Sequence, residues 1–366
     1  MFFRNEYRDG KQIIIYFCLI EFFIVMKILV TGGAGFIGSH TIVELHQAGF
    51  EPIIIDDFSN SAPSAVEGIE KIIGQEVKTY RADCNDLDAL RQIFREQEIG
   101  GVIHFAASKA VGESVKLPLK YYENNLNSLI QLIKVMLENG RTNLVFSSSC
   151  TVYGQPEKLP VTESSPILPA ESPYGNTKQI CEEILADTVK SGAPLKALAL
   201  RYFNPIGAHP SAHIGELPIG TPGNLVPFIT QTAAGLREQL TVFGKDYSTA
   251  DGTCVRDYIH VMDLAKAHVK ALQLLFEQKA TNYYDFFNVG TGRGATVLEV
   301  IRTFEEVAGV KLNYRFGERR SGDIEQIYAE VDKATNGLHW KAEKTLREGL
   351  ADAWRWQQKL MAQPVK

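Results

Sequence analysis

Thr31-Gly32-Gly33-Ala34-Gly35-Phe36-Ile37-Gly38 is the stretch that decides the fold. Gly32, Gly35 and Gly38 recur at every third position. They follow the apolar run Lys27-Ile28-Leu29-Val30-Thr31 and precede a helix predicted from about Phe36 to Ala48. Strand, glycine turn, helix is the context in which such glycines bind a dinucleotide. They permit a tight turn and let backbone amides approach a pyrophosphate at the positive end of the helix. An acid is expected at the end of the next strand, and Asp56 closes Pro52-Ile53-Ile54-Ile55 there. A carboxylate in that place accepts hydrogen bonds from the adenosine ribose and repels a 2′-phosphate, which selects NAD over NADP. Asp83, after the third strand, either meets the adenine end or caps the helix that follows.

Working outward, apolar strands alternate with helices. Strands are predicted at 52–56, 77–80, 102–106, 143–149 and 196–202, and helices near 86–97, 119–139 and 173–191. Continuous apolar strands between helices indicate an α/β fold with a parallel sheet covered on both faces, a Rossmann-type doubly wound sheet. After Asn204 the pattern breaks into glycine- and proline-rich sequence and shorter mixed elements. The expected organisation is a dinucleotide-binding domain over 26–204 and a smaller mixed α/β substrate domain over 205–366.

Residues 1–25 stand apart. Residues 13–25 are apolar except for Glu21, and Arg4, Arg8 and Lys11 precede them. This resembles a signal peptide. Glu21, the lack of a small-x-small cleavage site and the direct join to the strand at Lys27 argue otherwise, and the run is short for a membrane span. The expectation is an N-terminal extension outside the fold, with Met26 as the functional start. A peripheral membrane anchor is the alternative.

The 366-residue chain is 45% hydrophobic and 22% charged, a globular composition, and its net charge of −5 disfavours a nucleic-acid partner. Its five cysteines show no C-x-x-C pair, which suggests reduced thiols in the cytoplasm and no metal site.

Ser172-Pro173-Tyr174-Gly175-Asn176-Thr177-Lys178 carries the chemistry. Ser172 can cap a helix that Pro173 begins. Tyr174 and Lys178, four residues apart, share a helix face. An ammonium and an oxidised nicotinamide would both lower the phenol's pKa, and Tyr174 could then take a proton from a sugar hydroxyl. Ser149, at the predicted end of the fifth strand, can share that proton. Ser147 and Ser148 read as ordinary strand-end hydrogen bonders.

These segments, with His104–Ser114, Tyr121–Asn125, Phe146–Gly154, Arg201–Ser211, Gly223–Ile229 and Asp251–Ala265, resemble the UDP-glucose 4-epimerase family of extended short-chain dehydrogenase/reductases. The resemblance runs from Met26 to about Trp356. It implies reversible C4 epimerisation of UDP-glucose and UDP-galactose through a 4-keto sugar, with NAD retained and a homodimer built on the helices near 87–97 and 119–139. The implied cofactor residues are Gly32, Gly35, Phe36, Ile37, Gly38, Asp56, Asn60, Ser61, Asp83, Cys84, Phe105, Ala106, Lys109, Asn124, Tyr174, Lys178 and Phe203. The implied substrate residues are Ser149, Tyr174, Asn204, Asn224, Leu225, Phe243, Arg256, Arg320, Asp323 and Ile327, with the arginines as diphosphate clamps. Two departures stand out. Asp57 replaces an asparagine frequent in the family. Ile327 falls where side-chain bulk governs access of an N-acetyl group, and a one-residue slip would put Tyr328 there. A nucleotide-sugar 4,6-dehydratase is disfavoured because Cys150 and Thr151 follow Ser149 in place of an acidic pair. A non-catalytic NAD-binding protein is disfavoured because Ser149, Tyr174 and Lys178 are all present.

Overall fold

The computed structural model describes residues 3–8, 11–16, 25–320 and 323–362. Strands β1 (Phe3–Arg8) and β2 (Lys11–Tyr16) pair with each other in a two-stranded antiparallel sheet, separate from the rest. The remainder of the apolar run, residues 17–24, lies outside the described residues. Among the described residues no helix is long and apolar enough to cross a membrane.

From Lys27 the chain runs β3 (Lys27–Thr31), α1 (Phe36–Gln47), β4 (Glu51–Asp56), α2 (Pro63–Ile73), β5 (Thr79–Arg81), α3 (Leu87–Glu96), β6 (Ile99–His104), α4 (Val111–Lys116), α5 (Pro118–Glu138), β7 (Asn143–Ser147), α6 (Pro173–Lys190) and β8 (Lys196–Tyr202). After these come β9 (Asn204–Ile206), α7 (Leu225–Ala233), β10 (Leu240–Phe243), β11 (Val255–His260), α8 (Val261–Glu277), β12 (Tyr283–Val289), β13 (Gly294–Thr296), α9 (Val297–Ala308), β14 (Tyr314–Gly317), β15 (Gln326–Ile327), α10 (Asp332–Gly337) and α11 (Leu346–Ala362). Seven strands form one sheet in the order β12-β8-β7-β6-β3-β4-β5, every pair parallel. Alternation along β3 explains the unbroken apolar run. Ile28 and Val30 join a core with Ile42 of α1 and Leu264 of α8, while Leu29 joins a second core with Leu90 of α3, Leu132 of α5 and Leu185 of α6. Both faces are buried, so no polar alternation survives.

The order reverses between β3 and β6. The chain leaves β3 toward β4 on one side and later enters β6 on the other, which opens a crevice at the carboxyl ends of the strands. The turn after β3 and the Phe105-Ala106 segment after β6 both face this crevice.

Three features depart from the sequence expectations. The third strand is Thr79–Arg81 rather than 77–80, because the Val77 amide donates to Glu70 Oε1 at 3.1 Å and leaves the ladder. The fourth begins earlier, at Ile99, through Gly100 and Gly101, which have no side chain to signal a strand. The sheet also crosses Asn204. Its seventh strand is Tyr283–Val289, and α8 packs beside α1 on the same face. Asp285, ion-paired to Lys333, interrupts the apolar pattern of β12 and hides it in the sequence.

Beyond β8, β9 and β15 pair parallel and β13 antiparallel with β11, and β10 pairs parallel with β14. Helices α7, α9 and α11 bury a separate core against these strands around Ile229, Phe304 and Leu350.

Candidate active site

Gly32 takes a left-handed backbone, φ +67°, and a Cβ there would sit 2.9 Å from the Ala106 amide nitrogen. A Cβ on Gly38 would overlap the Gly32 carbonyl oxygen. The turn therefore needs glycine at both places. Gly35 is the N-cap of α1, with no side-chain cap and no acid in the first turn. The first amides of the helix are left to an anion. Asp56 reaches back to this turn. Its Oδ2 accepts from the Ala34 amide at 3.0 Å, and its Oδ1 accepts from the Phe58 amide at 2.9 Å and Ser61 Oγ at 2.7 Å. Ser61 thus belongs to the same arrangement, and Asn60 beside it is exposed. Asp57 accepts from the amide and hydroxyl of Ser59. Glycine cradle, open helix end and the buried acid Asp56 fit a dinucleotide.

Other residues expected around the cofactor divide by how they face it. The Phe36 ring packs edge-on against His40, and Ile37 leans on the core. Cys84 is buried in the core, where burial pushes its thiol well above the usual range. The Phe105 ring lies 4.6 Å from that of His268. Cys84 is buried and can meet a ligand only through backbone, whereas Phe105 is half-buried. Asp83 accepts from the amide and side chain of Asn85, so it is not the cap of α3. Asp86 takes that role, accepting from the Asp88 and Ala89 amides. Asn85 Nδ2 donates in turn to Asn124 Oδ1 at 3.0 Å. Lys109 is exposed. Phe203 is buried beside Cys150 and Ile327.

The catalytic segment folds as its sequence requires. Ser172 Oγ caps α6 by accepting from the Gly175 amide, and Pro173 occupies the first turn. Tyr174 is buried, and Ser149 is a neighbour that acts on its phenol. Ser149 is not the end of β7, which stops at Ser147. It is the N-cap of a 3-10 turn, Cys150–Tyr153. Its Oγ accepts from the amide and hydroxyl of Thr151 at 3.2 and 3.0 Å. With its acceptor sites engaged, the Ser149 O–H is left to donate toward Tyr174. Lys178 Nζ donates to the Ser147 carbonyl at 2.7 Å and lies 5.9 Å from the Tyr174 ring centre. Burial lowers its pKa to about 8, against the opposing influence of Cys181 and Glu182. Burial, then the neighbouring Tyr202 hydroxyl, push the Tyr174 phenol well above its ordinary value, and the Ser149 hydrogen bond works the other way. Lys178 gives one of its three N–H donors to the Ser147 carbonyl and keeps its charge beside the ring, while desolvation works against the phenolate.

On the far side, Arg256 of β11 donates to the Val255 carbonyl at 2.9 Å and forms no ion pair among the described residues. Arg320 pairs with Asp323 at 2.7 Å and lies over the exposed Phe243 ring. Asn224 Nδ2 donates to Glu216 Oε1, Leu225 opens α7 and Asn204 lies on β9. Ile327 is buried with Cys150 and Phe203, whereas Tyr328 points the other way, toward Gly294. The register puts Ile327, not Tyr328, on the side of Ser149. A cavity of about 530 Å³ between α7 and α11, lined by Val226, Trp356 and Leu360, includes none of the catalytic side chains.

The sequence reading missed Thr151, Tyr202 and Glu216. Tyr202 shares a hydrogen bond with Ser147 and ends a predicted strand, a signal that was available. Glu216 lies in a loop with no periodicity to mark it.

A doubly wound sheet with a glycine turn, an acid at the end of its second strand and a Ser-Tyr-Lys set defines an extended short-chain dehydrogenase/reductase. The family profile described as GDP-mannose 4,6 dehydratase matches residues 29–353. UDP-glucose 4-epimerase of Bacillus subtilis is 51% identical over 332 residues, 91% of this chain and 97% of its own length. The chain belongs to the UDP-glucose 4-epimerase family. Among solved structures, the epimerase of Stenotrophomonas maltophila, with NAD and formylated UDP-arabinopyranose, superposes with a TM-score of 0.89 at 47% identity, covering 92% of this chain and 99% of its own. The Bifidobacterium longum enzyme, with NAD+ and UDP, gives 0.87 at 45% identity, covering 91% and 98%.

Proposed function

We propose that the protein catalyses NAD-dependent, reversible C4 epimerisation of UDP-glucose and UDP-galactose, as an isomerase of galactose metabolism. The observation that carries this reading is the grouping of Ser149, Tyr174 and Lys178 in a fold that also holds a glycine turn braced by Asp56. NAD, held by the glycine cradle and Asp56, would supply the hydride acceptor and donor for the C4 oxidation and reduction. The chain's own residues do the rest. Tyr174 takes the C4 hydroxyl proton through or beside Ser149 and gives it back in the return step. Lys178 keeps the strand end in place through Ser147 and presents its charge to the cofactor ribose. Gly32, Gly35, Phe36, Ile37, Gly38, Asp56, Asn60, Ser61, Asp83, Cys84, Phe105, Ala106, Lys109, Asn124 and Phe203 surround the dinucleotide. Arg256, Arg320, Asn204, Asn224, Leu225, Phe243 and Asp323 hold the UDP and sugar, and Ile327 bounds the sugar. A firmly held UDP with a loosely held hexose lets either face be presented.

The two-part organisation belongs to the same reading, a cofactor lobe built on the large sheet and a UDP-sugar lobe built after β9. A homodimer through α3 and α5 is proposed because these helices lie side by side, tied by the bidentate Arg91–Glu138 pair, and form one helical surface. Light scattering on the purified chain tests it, and a monomer would refute it. Cys84, Cys150, Cys181 and Cys254 are buried free thiols, which supports the cytoplasm as the compartment.

The deciding experiment is conversion of UDP-galactose by purified protein with no NAD added, followed by chromatography, with UDP-N-acetylgalactosamine in parallel. UDP-glucose as product supports the reading. No conversion of either sugar, with NAD supplied, refutes it.

A further inference from the structure

Ser149 sits in a short irregular segment, yet its hydroxyl has to be held at a defined distance from Tyr174. What fixes that segment is a buried ion pair outside the reacting set. Glu182 lies on α6, one turn beyond Lys178 on the same helix face. Its carboxylate accepts from Arg201 Nε at 3.0 Å, from Arg201 Nη2 and from Ser148 Oγ. Arg201, on β8, donates through Nη1 to the Tyr153 hydroxyl at 3.1 Å, and its guanidinium lies over the rings of Tyr153 and Phe286. The Tyr153 hydroxyl donates to Asn288 Oδ1 at 2.7 Å. Both charged side chains are less than a tenth exposed.

Ser148 immediately precedes Ser149, and Tyr153 closes the 3-10 turn that Ser149 caps. The ion pair grips the segment at both ends, Glu182 at Ser148 and Arg201 at Tyr153. A buried pair adds little net stability over apolar packing of the same shape, but its geometry is exacting. Resting on the proposed epimerase reading, we propose that Glu182 and Arg201 are positioning residues that hold Ser149 at Tyr174 by bracketing the Ser148–Tyr153 segment against the helix that carries Tyr174 and Lys178.

The bracket is tested at its two ends, where the ion pair itself stays intact. Ser148→Ala removes the hold on one side and Tyr153→Phe removes the hydroxyl on the other while keeping the ring. Both are assayed with UDP-galactose beside wild type, with KM, kcat and NAD per subunit recorded. Misplacing one reacting group by about an ångström lowers kcat roughly 10- to 100-fold. The expected result is that loss in kcat for each variant, with KM and NAD content unchanged. Ser148→Thr, which keeps the hydroxyl, restores most of the rate. If Ser148→Ala fails to fold, Tyr153→Phe decides alone. Folded variants with wild-type kcat, or a loss confined to KM or NAD content, overturn the bracket and leave the epimerase reading standing. An inactive wild type overturns both.

Discussion

His104→Phe should make the protein less sensitive to acid by an amount that the structure sets. His104 ends β6 between the two halves of the site. It is fully desolvated, its Nδ1 is 2.7 Å from Thr31 Oγ1, and its ring stacks on Phe146. Burial, and then the charge of Lys178, lower its pKa from 6.5 to about 3. The folded protein thus keeps this ring neutral at pH 5, where the unfolded chain protonates it. The unfolded state binds more protons, so the His104 contribution to stability is complete above about pH 6.5, falls as the pH drops, and levels off near pH 3. Between pH 7 and pH 5 an unfolded histidine of pKa about 6.5 gains about 2 kcal/mol from protonation that the folded state forgoes. Phenylalanine keeps a flat ring against Phe146 and removes the titration. It also removes one of the two hydrogen bonds of the Thr31 hydroxyl, leaving that from the Ala106 amide, which costs about 1 kcal/mol at every pH. Urea unfolding of both proteins at pH 7 and pH 5, without added NAD, gives four free energies. Wild type should lose about 2 kcal/mol more than the variant over that interval. His40 and His268, also buried with lowered pKa values, are common to both and cancel. Equal losses would show that His104 titrates normally in the fold, and the desolvation argument would fail.

Tyr174→Phe keeps the ring in its buried slot and removes the phenol, so kcat for UDP-galactose should fall by roughly 10²- to 10⁴-fold. NAD per subunit should not change, and retained activity would take the proton transfer away from Tyr174. Gly38→Ala places a methyl group against the Gly32 carbonyl oxygen, and the purified protein should carry much less NAD, measured after denaturation. Full NAD content would contradict the close approach of turn and helix. Ile327→Ala should raise kcat/KM for UDP-N-acetylgalactosamine relative to UDP-galactose, and Ile327→Tyr should lower it. An unchanged ratio in both would put the control of sugar bulk elsewhere.

The cofactor half of the site was legible because its requirements are local. A glycine turn, a helix start and an acid at a strand end are all written within Lys27–Asp56, and backbone geometry alone makes them necessary. The Ser172–Lys178 segment was legible for the same reason, since a cap, a proline and an i,i+4 pair specify one helix face. The seventh strand was not. Tyr283–Val289 carries Asp285, whose charge is satisfied by Lys333 from α10, and such a partner cannot be seen in the strand's own pattern. Nor was the true setting of Ser149. Three consecutive serines look alike in sequence, yet Ser147 ends the strand and bonds Tyr202, Ser148 bonds Glu182, and only Ser149 opens a turn.

The state of Tyr174 is set by opposing influences. The sequence suggests a phenol activated by two positive charges, the lysine four residues on and an oxidised nicotinamide. In the fold that ammonium is bound to the Ser147 carbonyl, and desolvation works against the phenolate. Burial thus opposes the phenolate, and the Lys178 charge near the ring is the chain's own counterweight. A positive charge near the phenol is what tips such a balance. On the proposed activity, the oxidised cofactor would add a second charge to that of Lys178, so the proton acceptor is favoured most when a hydride acceptor is present. The sugar hydroxyl is then less readily stripped of its proton when there is nowhere for the hydride to go. The burial that raises the phenol's pKa becomes the feature that couples the two halves of the chemistry.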